Sequence, residues 1–296
     1  MPRVKRRLVA ADPCRMRRTL RLLACAVAGI VLGLTVYSGL VHVGIARSLF
    51  APTLRGDIAL ARSDRPGLRV LFVGNSFTFK NSLPALVREL AAGDPAGKPI
   101  YSVEYAAPGW SLGQADKDGG LTKLLRDVKW DVVVLQEKSW LLSFPEEQWR
   151  RSTYPFVRDL QGKIAASGAQ TLLFMTWGYA LGDRRTIPHD TYAEMQRRLA
   201  EGYSKLGAEV GARVAPAGLA WAEALRRKPA LDLWAADGQH PGRMGSYLAA
   251  CVFYAALTGR DPTRSRFTAG IEAGQARFLQ RVAENVYESD VKSGSA

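Results

Sequence analysis

From about residue 68 onward, short apolar runs alternate with amphipathic stretches. "LRVLFVG" (68–74) turns apolar and β-branched, then stops abruptly, the pattern of a buried strand. "SLPALVRELAAG" (82–93) sets Leu83, Leu86, Val87 and Leu90 on one face, with Pro84 in the first turn and Gly93 at the end, which predicts a helix. Further strands are expected at 99–106, 130–136, 171–177 and 212–218. Helices are expected at 121–128, 146–167, 190–209, in "LAWAEALRR", at 242–259 and at 274–288. Strands that alternate with helices need crossover connections, so the fold class is α/β with a mostly parallel sheet of about five strands, covered on both faces.

One apolar stretch has a different character. Leu22 to Ala46 contains no Asp, Glu, Lys or Arg over 25 residues, long enough for a helix to span the hydrocarbon core. The arm before it, residues 1–21, holds eight Arg or Lys and one Asp, so half of the net charge of +14 sits there. A basic flank ahead of an apolar span predicts a cytoplasmic arm at 1–21, a transmembrane signal anchor at 22–46 and an extracytoplasmic remainder. The small residues of Gly44-Ile45-Ala46 leave a second option, a signal cleaved near Ala46 and a secreted product. The expected domains are then a tether at 47–67, one domain at 68–290 and a flexible tail at 291–296. The expected location is the inner (cytoplasmic) membrane, as a single-pass protein.

With the arm set aside, the remainder is mildly basic and mixed in sign, so no nucleic-acid partner is expected. Cys14 and Cys25 fall in the arm and the span, which leaves Cys251 alone in the domain and allows it no disulfide. No Cys/His cluster has zinc spacing and no phosphate-binding glycine loop follows a strand, so neither metal nor cofactor is expected. Nothing in the sequence sets an oligomeric state.

Ligands of parallel sheets bind beyond the carboxyl ends of the strands. The first strand ends at Gly74-Asn75-Ser76, the second before Pro108-Gly109-Trp110-Ser111, the third at Gln136-Glu137-Lys138-Ser139 and the fourth at Trp177-Gly178-Tyr179. A serine nucleophile needs a base and the base an orienting carboxylate. Of three histidines, His42 lies in the apolar span and His189 reads as a surface residue before a helix. His240 stands three residues after Asp237 in "DGQHPG", so one short loop could supply both groups.

"VLFVGNSFTFKNSLPALV" followed near the end of the domain by "DGQHPGRMGSYLAA" resembles the SGNH (GDSL-type) serine hydrolase superfamily, in a divergent form with G-N-S at the nucleophile motif. The resemblance spans about 68–260. It implies a flavodoxin-like α/β/α sandwich, Ser76 as nucleophile, His240 and Asp237 as its partners, and an oxyanion-hole glycine at Gly109. The third block departs from the family's G-x-N-D, and Gln136 is the candidate for the missing amide donor. The Ser76 N–H would complete the oxyanion hole. Asn75, Trp110, Trp177 and Tyr179 are candidate substrate contacts, the aromatic rings suiting a sugar face or an acyl chain. The expected function is an anchored serine esterase cleaving short acyl esters, O-acetyl groups on carbohydrate first among them, with a small-molecule or glycan ester as partner. The alternatives are a non-catalytic glycan- or partner-binding protein, and an acyltransferase or lysophospholipase with the same triad.

Overall fold

A computed structural model describes residues 51–292. The basic arm and the apolar span at 22–46 lie outside the described residues, as do 293–296. Among the described residues no helix is long and apolar enough to cross a membrane.

Six strands form one sheet: β1 (Thr53–Gly56), β2 (Leu68–Gly74), β3 (Ile100–Ala106), β4 (Val132–Leu135), β5 (Gln170–Phe174) and β6 (Arg213–Ala215). Their order is β1-β3-β2-β4-β5-β6, parallel throughout except for β1 at the edge. The first parallel strand, β2, therefore lies between the second (β3) and the third (β4), the flavodoxin-like order, and the topological switch point falls between β2 and β4. β2 and β4 are buried along almost their whole length, which is why their sequences read as continuous apolar runs and do not alternate.

The helices are α1 (Ile58–Ala61), α2 (Ser76–Phe79), α3 (Leu83–Gly93), α4 (Leu112–Asp116), α5 (Gly119–Asp127), α6 (Glu146–Ser152), α7 (Tyr154–Ala166), α8 (Tyr192–Val210), α9 (Ala217–Arg227), α10 (Arg243–Thr258) and α11 (Ala273–Lys292). On one face α10 packs against α3, α9 and α11, and on the other α7 packs against α4, α5, α6 and α8. α10 is buried all round from Gly245 to Ala256, as its unbroken apolar composition requires. Its Phe253 meets Phe72 of β2 and Phe174 of β5 edge to face, at 5.4 and 4.8 Å between centroids.

Four expectations are corrected. Residues 53–61 are not tether: β1 pairs antiparallel with β3, Thr53 opposite Ala106, and the sheet gains a sixth strand. The helix expected at 146–167 is two, because Pro155 has no N–H for the Arg151 carbonyl and the chain leaves helical geometry at Thr153. α4 was not expected; Ser111 opens it with a capping box closed by Gln114. Residues 291 and 292, expected in the tail, belong to α11, which continues to Lys292.

Candidate active site

β2 ends at the carboxyl edge of the sheet and the chain turns at once into α2, whose first residue is Ser76. Gly74 makes the turn possible. A Cβ there would lie 2.5 Å from both Gln136 Oε1 and Thr78 Oγ1. Asn75 caps α2 by accepting the Phe77 N–H at 3.1 Å, while its Nδ2 donates to the Trp110 carbonyl at 2.8 Å. That second bond fixes the loop after β3, with Gly109 in it, beside the turn.

The loop from Leu233 to Gly242 closes on itself through a Trp234–Pro241 bridge and the Ala235 N–H on the His240 carbonyl. It brings His240 Nε2 to 2.8 Å from Ser76 Oγ. On the other side of the ring, His240 Nδ1 lies 2.6 Å from Asp237 Oδ2. The carboxylate also accepts the Gln239 and His240 backbone N–H groups on Oδ1, both at 2.9 Å. Partial burial works to raise this carboxyl, but the imidazole and the two N–H donors outweigh it and hold it down at about 2. An ionised Asp237 keeps the ring proton on Nδ1, so Nε2 is left as the acceptor for the serine proton. The three residues that the sequence pairs only by motif thus meet in one hydrogen-bonded chain, the arrangement that a nucleophile, a base and an orienting acid would need.

The other expected site residues fall into two groups. Gly109 is exposed, at φ +65°, a conformation that favours glycine. Among the described residues no backbone acceptor takes its N–H or that of Ser76, and both remain available to a developing oxyanion. Gln136 does not join them. Its side chain is fully buried, its Oε1 accepts the Asn75 N–H at 2.9 Å and the Thr78 hydroxyl at 3.0 Å, and its amide nitrogen donates to the Glu137 carbonyl. The extra methylene relative to asparagine lets the amide turn under the nucleophile turn and brace it.

Asn75, Trp110, Trp177 and Tyr179 are likewise buried, and of the four Tyr179 borders the cleft beside Asp237. Asn75 spends its amide on the two loops it joins. Trp110 packs edge to face on Tyr105. Tyr179 shares a 2.8 Å hydrogen bond with Ser139, and burial pushes its phenol up to about 12. Trp177 stacks on Trp221 at 4.0 Å and on Phe77 at 5.2 Å, and its Nε1 donates to the Gln239 carbonyl at 3.1 Å. Phe77 in turn lies 5.3 Å from the His240 ring. This aromatic column sets the nucleophile helix and the histidine loop at one height.

Two contributors were missed. Phe77 is one; its place directly after Ser76 was the signal. Asn81 is the other. It sits at φ +52°, where asparagine is tolerated, and its Nδ2 reaches the Pro241 carbonyl at 3.0 Å and Ser246 Oγ at 2.9 Å, tying the segment after α2 to the start of α10. Glu137, buried, accepts the Leu112 N–H at 3.1 Å and the Lys138 N–H at 2.7 Å, and so joins the loops after β3 and β4. His189 is exposed and takes no part. Among the described residues no group of three or more His, Cys, Asp or Glu could hold a metal ion. Beside Asp237, though not lined by Ser76 or His240, lies an open cleft of about 290 Å³ bordered by Tyr179, Leu181, Arg184, Arg185, Asp237 and Gln239.

No protein-family model matches the chain, and neither does any curated protein. Solved structures do. A DUF4886 family protein from Bacteroides uniformis is similar over 75% of this chain and 95% of its own, at 21% identity and a TM-score of 0.62. A protein from Slackia heliotrinireducens, described as a candidate SGNH hydrolase, is similar over 64% of this chain and 98% of its own, at 28% identity and a TM-score of 0.53. The sheet order and these likenesses define an α/β/α sandwich of the hydrolase type. In fold the chain is similar to structures of the SGNH hydrolase-like superfamily.

Proposed function

We propose that the chain is a membrane-anchored, extracytoplasmic serine esterase that removes short acyl groups, O-acetyl groups on carbohydrate first among them. The observation that carries this reading is the continuous relay from Ser76 Oγ through His240 to Asp237. Ser76 Oγ attacks the ester carbonyl carbon as its proton passes to His240 Nε2. The tetrahedral oxyanion is met by the Ser76 and Gly109 N–H groups, each such donor contributing on the order of 10²–10³ in rate. The intermediate collapses, the alcohol leaves with the proton from Nε2, and an acyl-serine remains. Water then attacks the acyl-serine with His240 again as base, releasing the carboxylic acid and restoring the hydroxyl. No step calls on a metal or an organic cofactor.

The character of the cleft supports a polar acceptor. Its walls carry Asp183, Arg184, Arg185 and Gln239, and Leu181 is the one aliphatic side chain of size among them. The Slackia relative's description as a hydrolase accords with this chemistry. The test is a series of acetyl, butyryl and octanoyl esters, with acetylated glycans, on the full chain and on Ser76→Ala. Specificity should fall from acetyl to octanoyl and vanish in the variant. A rate that climbs with chain length overturns the short-acyl reading in favour of a lysophospholipase. Hydrolysis that survives Ser76→Ala overturns the mechanism.

A further inference from the structure

The described chain enters the domain at its catalytic edge. β1 runs antiparallel to β3, so its first residue, Thr53, lies opposite Ala106 at the carboxyl end of that strand. Ala107, the next residue, donates to the Gly74 carbonyl at 3.2 Å, two residues before Ser76. Only Arg47 to Pro52, six residues, separate the end of the apolar span at Ala46 from Thr53. At 3.3–3.6 Å per residue that leash reaches no more than about 20–25 Å. An anchor at 22–46 would therefore hold the catalytic edge near the bilayer surface and leave the opposite edge remote.

The same edge carries the features that a lipid surface recognises. Among the described residues the large hydrophobic side chains that stand exposed are Leu54, Leu181 and Val291. Leu181, at 63% the most exposed, tops the loop after β5 beside the cleft at Asp237. Arg184 and Arg185, both exposed, follow it in the same loop. Of the acids around them, Asp190 is paired with Arg198, Asp237 is held by His240, and Asp183 is buried and accepts the Thr186 hydroxyl but has no cationic partner of its own among the described residues. Arg184 uses its Nε on the Asp190 carbonyl at 3.1 Å, which fixes the guanidinium at the surface without neutralising it. An apolar side chain flanked by two cations is the composition of an interfacial contact, each cation adding roughly fivefold to partitioning onto an anionic bilayer. The opposite edge also holds cations, Arg126 and Lys129 among them, so charge alone does not choose between the edges. The position of Leu181 and the entry point of the chain do.

We propose that the catalytic edge docks on an anionic lipid bilayer, with Leu181 entering the interface and Arg184 and Arg185 on the lipid phosphates, and that the ester it hydrolyses is one presented at that surface. This rests on the anchored-esterase reading above, and it adds the orientation of the site and the origin of the substrate.

The test uses the full chain carrying Cys14→Ser and Cys25→Ser, with an environment-sensitive fluorophore on Leu181→Cys or, at the opposite edge, on Lys129→Cys. Each is reconstituted in phosphatidylcholine vesicles with or without phosphatidylglycerol and with a nitroxide-labelled lipid as quencher. Quenching at 181 should exceed that at 129 several-fold. It should be greater with phosphatidylglycerol and should drop when Arg184→Glu and Arg185→Glu are added. Equal or greater quenching at 129, or none at 181, overturns the proposal. Turnover of a soluble acetyl ester by the same preparations is read separately. Its absence overturns the esterase reading, whereas intact turnover without quenching at 181 overturns the docking alone.

Discussion

The ends of β2 and β4 flank the same switch point and look alike in sequence, each an apolar run that stops at an amide beside a polar residue. They do opposite things. After β2 the chain turns through Gly74 and lifts Ser76 into a half-exposed position within reach of His240. After β4 the chain keeps Gln136 and Glu137 buried, and both side chains are consumed by neighbouring backbone. One strand end displays chemistry and the other holds the display in place. The difference lies in the helix: α2 begins immediately after β2 with Ser76 as its first residue, whereas β4 runs into a loop whose first two residues, Gln136 and Glu137, stay buried.

The largest effect should come from the displaying end. Ser76→Ala and His240→Ala should each lower kcat on an acetyl ester by about 10⁴–10⁶, with an unchanged melting temperature, and the double variant should lose no more than either alone. Additive losses would show that the two do not act as a unit. Asp237→Asn should cost less, about 10³–10⁴, because it leaves the ring in place but reverses its tautomer. Since the Asp237 carboxyl is held down at about 2, it remains ionised far into acid, and its own protonation should not limit the rate at mildly acidic pH. A rate profile in which Asp237→Asn removes an acid limb near neutral pH would contradict that.

The supporting end should respond in stability. Gln136→Ala strands the buried Asn75 N–H and the Thr78 hydroxyl, at about 1–3 kcal/mol for each unmet group. Chemical denaturation should show that loss, with kcat at a permissive temperature reduced less than tenfold. A drop of 10²–10³ in kcat with full stability would instead make Gln136 the oxyanion donor its position suggested.

This contrast also explains what was legible beforehand. The alternation of strands and helices and the edge that carries the site follow from spacing within short windows, where pattern reports geometry directly, whereas the grouping of Ser76 with Asp237 and His240 is what the family resemblance implies. β1 does not: "TLRG" is exposed along its length and becomes a strand only because the edge of β3 is there to pair with it. The burial of Asn75, Trp110 and Trp177 was not legible for a related reason. A strand end tells which edge a residue reaches, and the direction of its side chain depends on what packs beneath it. Trp177 lies under Phe77 because Trp221, 44 positions later, provides the other face of the stack. Pro155, by contrast, was a visible local signal for the break at Thr153, so that boundary was available from the sequence.

The smallest effect comes from Glu137, and its sign separates a brace from a catalytic acid. Burial is the largest influence on this carboxyl and raises it above the ordinary 4.5, against the lowering effect of the Lys138 and Leu112 N–H groups and of Thr153 beside it. A group whose folded-state value is raised binds its proton more tightly in the native protein than in the unfolded chain. Its contribution to stability is therefore fully present below 4.5 and is lost as the pH rises through the raised value. Glu137→Gln keeps an oxygen for both N–H donors and removes the titration. The variant's melting temperature should accordingly depend less on pH above 4.5 than that of the parent chain, with turnover of acetyl esters nearly unchanged. Differential scanning calorimetry across that range, alongside a rate profile, decides the matter. If Glu137→Gln leaves the melting curve as it was and instead shifts the pH dependence of kcat, the carboxyl communicates with the reacting groups, and the β4 end does more than support.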